Sequence, residues 1–190
     1  MDIQNTDLPG VVVITPKVHC DTRGNFQETY SASALQAAGL PHQFVQDNQS
    51  YSAQTGTLRG LHDQMPPFAQ SKLVRVLQGE IYDVAVDARF GSDSFGTWVG
   101  ETLSAANGKQ LFIPSGFLHG FVTRTPNTIV AYKCTTPYHP QADRSIRFDD
   151  PTLNINWGID PSDIILSAKD AAASPFGYWR ELGPGQIAHG

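Results

Sequence analysis

Charge is scarce in this chain. Of its 190 residues, 16% are Asp, Glu, Lys or Arg, and the net charge is -5. A sequence pI of about 5.6 gives no basic footprint for a nucleic-acid polymer or an anionic membrane. One small anionic ligand gripped by a few local arginines stays open. Cysteine is almost absent: Cys20 and Cys134 share no metal-type spacing and are read as free thiols. No stretch has the ~18 continuous apolar residues of a membrane span. The first ten residues, Met1 to Gly10, lack the basic and apolar regions of a signal peptide, so the expected setting is the cytoplasm. No repeat, linker or low-complexity segment divides the chain. It is read as one domain over residues 1–190, more irregular from about residue 151, where Pro151, Pro161, Pro175 and Pro184 recur.

What is present is β pattern. Gly10 to Pro16 reads as a short buried strand, and Asp21 to Tyr30 as a turn followed by alternation that puts Phe26 and Glu28 on one face. Phe44 to Tyr51 puts Gln46 and Asn48 on one face. Gly79 to Arg89 aligns Asp83, Ala85 and Asp87, a pair of carboxylates expected on a solvated face or held by backbone donors. Further strands follow at 97–103, 110–113, 120–123 and 129–134, punctuated by Gly, Pro, Asn and Asp. Helical stretches are few. Ser31 to Ala38 is one, stopped by Gly39 and Pro41, and Ser167-Ala-Lys-Asp170 has the form of a capping box. Many short strands with few helices predict an all-β sandwich or barrel.

Residues 56–75 are the centre of the reading. They carry Arg59, His62 and Lys72 on two expected strands joined around Pro66 and Pro67, read together as a hairpin. His62 is the one group there with an ordinary pKa near 7; a solvated hairpin with a stray histidine is the plain alternative. Arg59 and His62 are an odd number of residues apart, so a regular strand points them to opposite faces. Both serve one pocket only if the strand bulges, and Gly60 is the plausible place. Taken locally, Asp170 reads as a capping residue, Tyr132 as a core tyrosine with a satisfied hydroxyl, Lys72 as a solvated strand lysine and Tyr138 as a loop aromatic.

Eight ordered motifs change the balance: Asp21-Thr-Arg-Gly-Asn-Phe-Gln-Glu28, Gln46-Asp-Asn-Gln-Ser50, Leu58-Arg-Gly-Leu-His-Asp-Gln64, Gln70-Ser-Lys-Leu-Val74, Asp83-Val-Ala-Val-Asp87, Ile113-Pro-Ser-Gly-Phe-Leu-His-Gly-Phe121, Tyr132-Lys-Cys-Thr-Thr-Pro-Tyr138 and Leu166-Ser-Ala-Lys-Asp170. Over roughly residues 10–170 they resemble the dTDP-4-dehydrorhamnose 3,5-epimerase family, cupin-type enzymes that epimerise nucleotide-linked 4-keto-6-deoxy sugars. The resemblance implies a cupin-type jelly-roll sandwich, no cofactor, no metal, and a homodimer with N-terminal strand exchange. It implies His62 as base with Asp170 as its partner, Tyr132 as the acid and Lys72 at the enolate oxygen. It places Arg23 and Arg59 at the diphosphate, and Phe26, Glu28, Gln46, Asn48, His119, Tyr138, Asp143 and Lys169 around the rest of a dTDP-linked sugar. The family's usual aromatic after the histidine is Asp63 here, expected to face away from His62.

Other readings compete. Pro114-x-Gly-x-x-His119 matches the second motif of a metal cupin, but the first motif, His-x-His with a following Glu, reads His62-Asp-Gln64. A non-catalytic sugar-nucleotide-binding module would be favoured by loss of His62 or Tyr132, and both are present. A mono-epimerase acting at C3 only or C5 only is the serious runner-up, and a ketoisomerase of similar fold follows.

Overall fold

A computed structural model describes residues 1–177. Pro184, in the expected irregular C-terminal stretch, lies outside them. Alternation and Gly/Pro punctuation resolve into thirteen strands among the described residues. They are β1 Asp2–Asn5, β2 Val12–Thr15, β3 Val18–Asp21, β4 Gly24–Gln27, β5 Gln46–Ser52, β6 Leu58–Gln64, β7 Lys72–Gln78, β8 Glu80–Asp87, β9 Trp98–Ser104, β10 Gln110–Ile113, β11 Phe117–Thr123, β12 Thr128–Cys134 and β13 Asp143–Ser145. Two short helices join them, α1 Ala32–Ala37 and α2 Ala168–Ala171. No helix among the described residues is long and apolar enough to cross a membrane.

The strands form a six-stranded sheet, β1-β2-β10-β7-β12-β5, and a five-stranded sheet, β13-β6-β11-β8-β9, with β3–β4 standing apart. This is a cupin-type jelly-roll sandwich. Val74 and Val76 of one sheet meet Ile81, Ala85 and Phe121 of the other in the core between the layers. The outer faces are covered too. Leu35 of α1 packs on Val12, Ile14, Leu73 and Phe112. Leu153, Trp157 and Phe176 of the C-terminal segment pack on Leu58, Leu61, Val84 and Leu118. Both ends of α1 obey local chemistry: the Ser31 hydroxyl accepts from the Ala34 N–H, and Gly39 leaves the helix at φ +71°.

Two expectations are corrected. β6 and β7 are not a hairpin; they lie in different sheets, and the Pro66–Pro67 connection carries the chain from one layer to the other. Alternation reports which face a side chain takes, not which strand lies alongside. Asp83 and Asp87 are not solvated, since both are fully buried. Asp87 accepts from the Arg89 guanidinium and backbone N–H and from the hydroxyls of Ser92 and Ser94. Burial pushes its carboxyl up, but these donors outweigh it and hold it well below the usual range.

The expected bulge is present. His62 lies opposite His119 and Arg59 opposite Phe121, with a shift of register between them. Three steps along β6 are thus matched by two along β11, and the odd separation of Arg59 and His62 is undone. Gly60 sits in this segment at φ +132°. A Cβ there would meet the Cα of Gly120 at 2.5 Å and the carbonyl oxygen of His119 at 2.8 Å.

Gly60→Ala should therefore destabilise the protein by at least about 2 kcal/mol in urea unfolding. Gly24 is the control: its φ is +131°, yet a Cβ there meets nothing within 4 Å. Gly24→Ala should show the backbone cost alone and be clearly the milder change. Equal costs would mean that the approach of β6 to β11 is not what requires glycine.

Candidate active site

The bulge turns His62 into the space between the sheets. Its Nε2 lies 2.5 Å from Oδ1 of Asp170, 108 residues away in sequence. Asp170 sits on α2, where the Ser167 hydroxyl accepts its backbone N–H at 3.1 Å. The segment before α2 is laced to the start of β6: Leu58 N–H donates to Ile165 and Ile165 N–H to Gly56, each at 2.9 Å. The cap takes the main-chain N–H of Asp170, and its carboxylate is turned to the histidine. Burial pushes that carboxyl up, but the hydrogen bond and charge of His62, with bonds from Ser167 and the Gly60 N–H, leave it below its ordinary value. An ionised carboxylate only accepts, so Nε2 carries the imidazole proton and the Nδ1 lone pair is the basic atom.

The facing sheet supplies the other wall. Lys72 on β7 is opposite Cys134 on β12, and Tyr132 is opposite Asn48 on β5. Burial pushes the Lys72 ammonium below its usual pKa, against the pull of Cys134, Asp63, Asp143 and Asp83. Burial likewise raises the Tyr132 phenol, so its proton is kept at neutral pH. Behind His62, His119 makes a second pair with Asp83, Nε2 to Oδ1 at 2.7 Å, both side chains buried. Arg59 donates to the Ser52 hydroxyl and the Tyr51 carbonyl. Toward Asn48, the Gln46 amide donates to the Asn48 carbonyl oxygen and accepts the Tyr138 N–H. Asp143 accepts from the Tyr138 hydroxyl at 3.1 Å and from the Lys169 ammonium.

These side chains line two adjoining cavities of about 440 and 190 Å³ that share His62, Lys72, Tyr132 and Lys169. Of the residues expected at the site, all but Arg23, Phe26 and Glu28 line one or the other. Those three follow a different geometry. Arg23 is at the β3–β4 turn, paired with Asp21 in solvent. Phe26 is 70% exposed. Glu28 borders a third cavity of about 570 Å³ that shares Tyr132 and Asn48 with the site and also touches Arg75 and Lys133. Asp83 and Gln64 were not foreseen as site residues. Gln64 binds the Phe68 and Pro137 carbonyls and the His139 N–H, and so holds the loop that carries Tyr138. Asp83 was visible within its motif, but its partner depends on strand order, which the motif does not give. Among the described residues, no three His, Cys, Asp or Glu side chains are grouped to hold a metal ion. His62 and His119 are neighbours, and the Nε2 of each is committed to its own carboxylate.

Fold and cleft define a cupin-type jelly-roll enzyme whose cavity places one basic nitrogen and one phenol in facing sheets. Comparison with known proteins gives the family. The model of the dTDP-4-dehydrorhamnose 3,5-epimerase family matches residues 5–177. The enzyme of that name from Methanothermobacter thermautotrophicus is 48% identical over 171 residues, 90% of this chain and 91% of its own. The crystal structure of dTDP-6-deoxy-D-glucose-3,5-epimerase from Legionella pneumophila, in complex with dTDP-4-keto-L-rhamnose, superposes with a TM-score of 0.90 at 46% identity, covering 98% of this chain and 99% of that one. A 3′-monoepimerase from Streptomyces bikiniensis, in complex with dTDP-quinovose, aligns at TM-score 0.86 and 30% identity over 95% of this chain and 91% of its own. The chain belongs to the dTDP-4-dehydrorhamnose 3,5-epimerase family and is an isomerase.

The Asp170 carboxyl has its pKa lowered by folding, so it adds stability above the ordinary aspartate value of about 3.9 and loses that contribution as pH falls below it. Asp170→Asn removes the titrating group. The variant should melt below the wild type at pH 6–7, and the gap should close on acidification toward pH 3. Thermal melts across that range check this; a gap independent of pH would mean the carboxylate is not the charged partner of His62.

Proposed function

We propose that the cleft converts dTDP-4-dehydro-6-deoxyglucose to dTDP-4-dehydrorhamnose by inverting C3 and C5, the carbons flanking the C4 ketone. The observation that carries this is the shared cavity, with the His62–Asp170 pair on one wall and Tyr132 with Lys72 on the other. His62 Nδ1 takes the proton from C3 or C5. The C–H electron pair becomes the enolate double bond, and the ketone π pair moves to the C4 oxygen. The Lys72 ammonium stabilises that oxygen, and Asp170 stabilises the imidazolium. Tyr132 then delivers a proton to the opposite face, and both groups reset through solvent. Arg59 serves the diphosphate, Tyr138 lies against the nucleotide, and Gln46, Asn48, His119, Asp143 and Lys169 complete the recognition. No step calls for a cofactor or a metal.

The chain acts as one domain in the cytoplasm on this reading, consistent with its two free thiols. It acts as a homodimer with N-terminal strand exchange. Within the chain, β1 pairs along the apolar β2 and covers its edge. The exposed edge now belongs to β1, the last strand of its sheet. The exposure of Arg23 and Phe26 on the β3–β4 arm supports a reading in which the arm enters a neighbour's cleft. A mono-epimerase remains the second reading, on the similarity to the Streptomyces bikiniensis enzyme.

Deuterium exchange separates the roles. In heavy water, with dTDP-4-dehydro-6-deoxyglucose as substrate, wild type should place deuterium at C3 and C5; labelling at one carbon alone would favour the mono-epimerase. His62→Ala should slow exchange about 10²–10⁴-fold. Tyr132→Phe should still wash in deuterium on the original face while inversion falls sharply. Inversion at the wild-type rate would remove Tyr132 as the acid, and wild-type exchange in His62→Ala would remove the base. Light scattering at micromolar concentration should give a dimer mass; a monomer would count against the arm.

A further inference from the structure

Asp63 departs from the aromatic expected beside His62, and it is not solvated. It faces away from the His62 side of β6 and is 4% exposed. Its partner, the Arg144 side chain, is 11% exposed. The two groups meet fork to fork: Arg144 Nε donates to Asp63 Oδ1 at 2.7 Å, and Nη2 donates to Oδ2. A buried ion pair is poor evidence for stability, because desolvation offsets much of the attraction. Its best-attested use is to fix register.

Register is what β13 needs. It is three residues long, sits at the end of its sheet and, among the described residues, pairs with β6 alone. Asp143 lies opposite Gln64, Arg144 opposite Asp63 and Ser145 opposite His62. A slip by one residue would turn the Asp143 side chain out of the cleft. Asp143 is the acceptor that joins Tyr138 to Lys169, and Lys169 directly precedes the Asp170 that holds His62. Few bonds flank the strand: Met65 N–H to Ala142, and the Leu61–Ile146 pair.

We propose that Asp63 and Arg144 form a register clamp. They are positioning residues that hold β13 so that Asp143 faces the cleft and keeps Tyr138 and Lys169 at the nucleotide end. The inference rests on the reading of the cleft as a dTDP-sugar site. Asp63 borders the smaller cavity along β6, but its carboxylate is spent on Arg144, and the clamp acts through Asp143.

The test uses Arg144→Lys, which keeps the charge and loses the fork, and the double variant Asp63→Asn/Arg144→Gln, which removes both charges of the pair. Calorimetry with dTDP and steady-state kinetics should show Kd and KM raised about tenfold with kcat within about threefold of wild type. A merely structural role would do the reverse, lowering kcat through a smaller folded fraction and leaving KM and Kd alone; that result overturns the clamp. In an Asp143→Asn background, either change should cost little more, because the route through Asp143 is already cut. Hydrogen exchange tests the clamp without any ligand. Both variants should lose protection at the Met65 and Ile146 amides while β11–β8 amides keep theirs, and unchanged protection would overturn it. Wild type that fails to bind dTDP would instead sink the reading of the cleft, with the exchange result still deciding the clamp.

Discussion

One extra residue on β6 is the constraint on which the cleft depends. A regular strand alternates without exception, so Arg59 and His62 can share an interior only if the count is broken between them. The break needs close contact between β6 and β11, and glycines stand at both points of contact, Gly60 and Gly120. The same segment reaches further. The Gly60 N–H is among the donors to Asp170, so the distortion that aims the histidine also helps place its carboxylate. The flanking Leu58 and Leu61 stay on the outer face with the second apolar cluster. The bulge therefore sorts apolar residues outward and polar ones inward in one step.

A chain with little charge has put much of it inside, in pairs. His62–Asp170, His119–Asp83, Arg144–Asp63 and Arg89–Asp87 each set a carboxylate with at most 4% side-chain exposure against a basic partner. Lys72 differs. Burial depresses its pKa, and among the described residues no ion pair includes it. An anion forming at the ketone oxygen would supply the missing partner at the moment of reaction. A cation with no carboxylate in direct contact binds an enolate better than a ketone, which is the differential binding that lowers a barrier. A resident carboxylate at hydrogen-bond distance from Lys72 would have cancelled that advantage.

The alternation of short strands made the fold class legible, and parity alone located the bulge at Gly60. The pairing of strands was not legible. β6 and β7 alternate as two arms of a hairpin do, but their partners are β11 and β10, and that choice is made by packing across the whole sandwich. The Asp83–His119 pair was hidden for the same reason, since the two residues meet only because β8 and β11 are neighbours. For Asp87 the backbone donor expected as one alternative is there, the Arg89 N–H, but alternation cannot reveal that the Arg89 guanidinium and two serines curl back on it as well. Arg23, Phe26 and Glu28 came from motif resemblance, and a single chain places them away from the cleft.

Asp170 shows why local and distant readings of one residue need not compete. In the cap it offers its N–H, which the Ser167 hydroxyl accepts. As the partner of His62 it offers only its carboxylate. A four-residue helix has no stability of its own, so α2 exists because the preceding segment is bonded along Gly56 to Leu58 and because His62 holds its first turn. Helix and dyad are therefore mutually dependent: the cap presents the carboxylate, and the histidine anchors the cap. Local sequence displays the cap because all of its parts lie within four residues. It cannot display the dyad, whose parts meet only after the C-terminal segment has docked on β6.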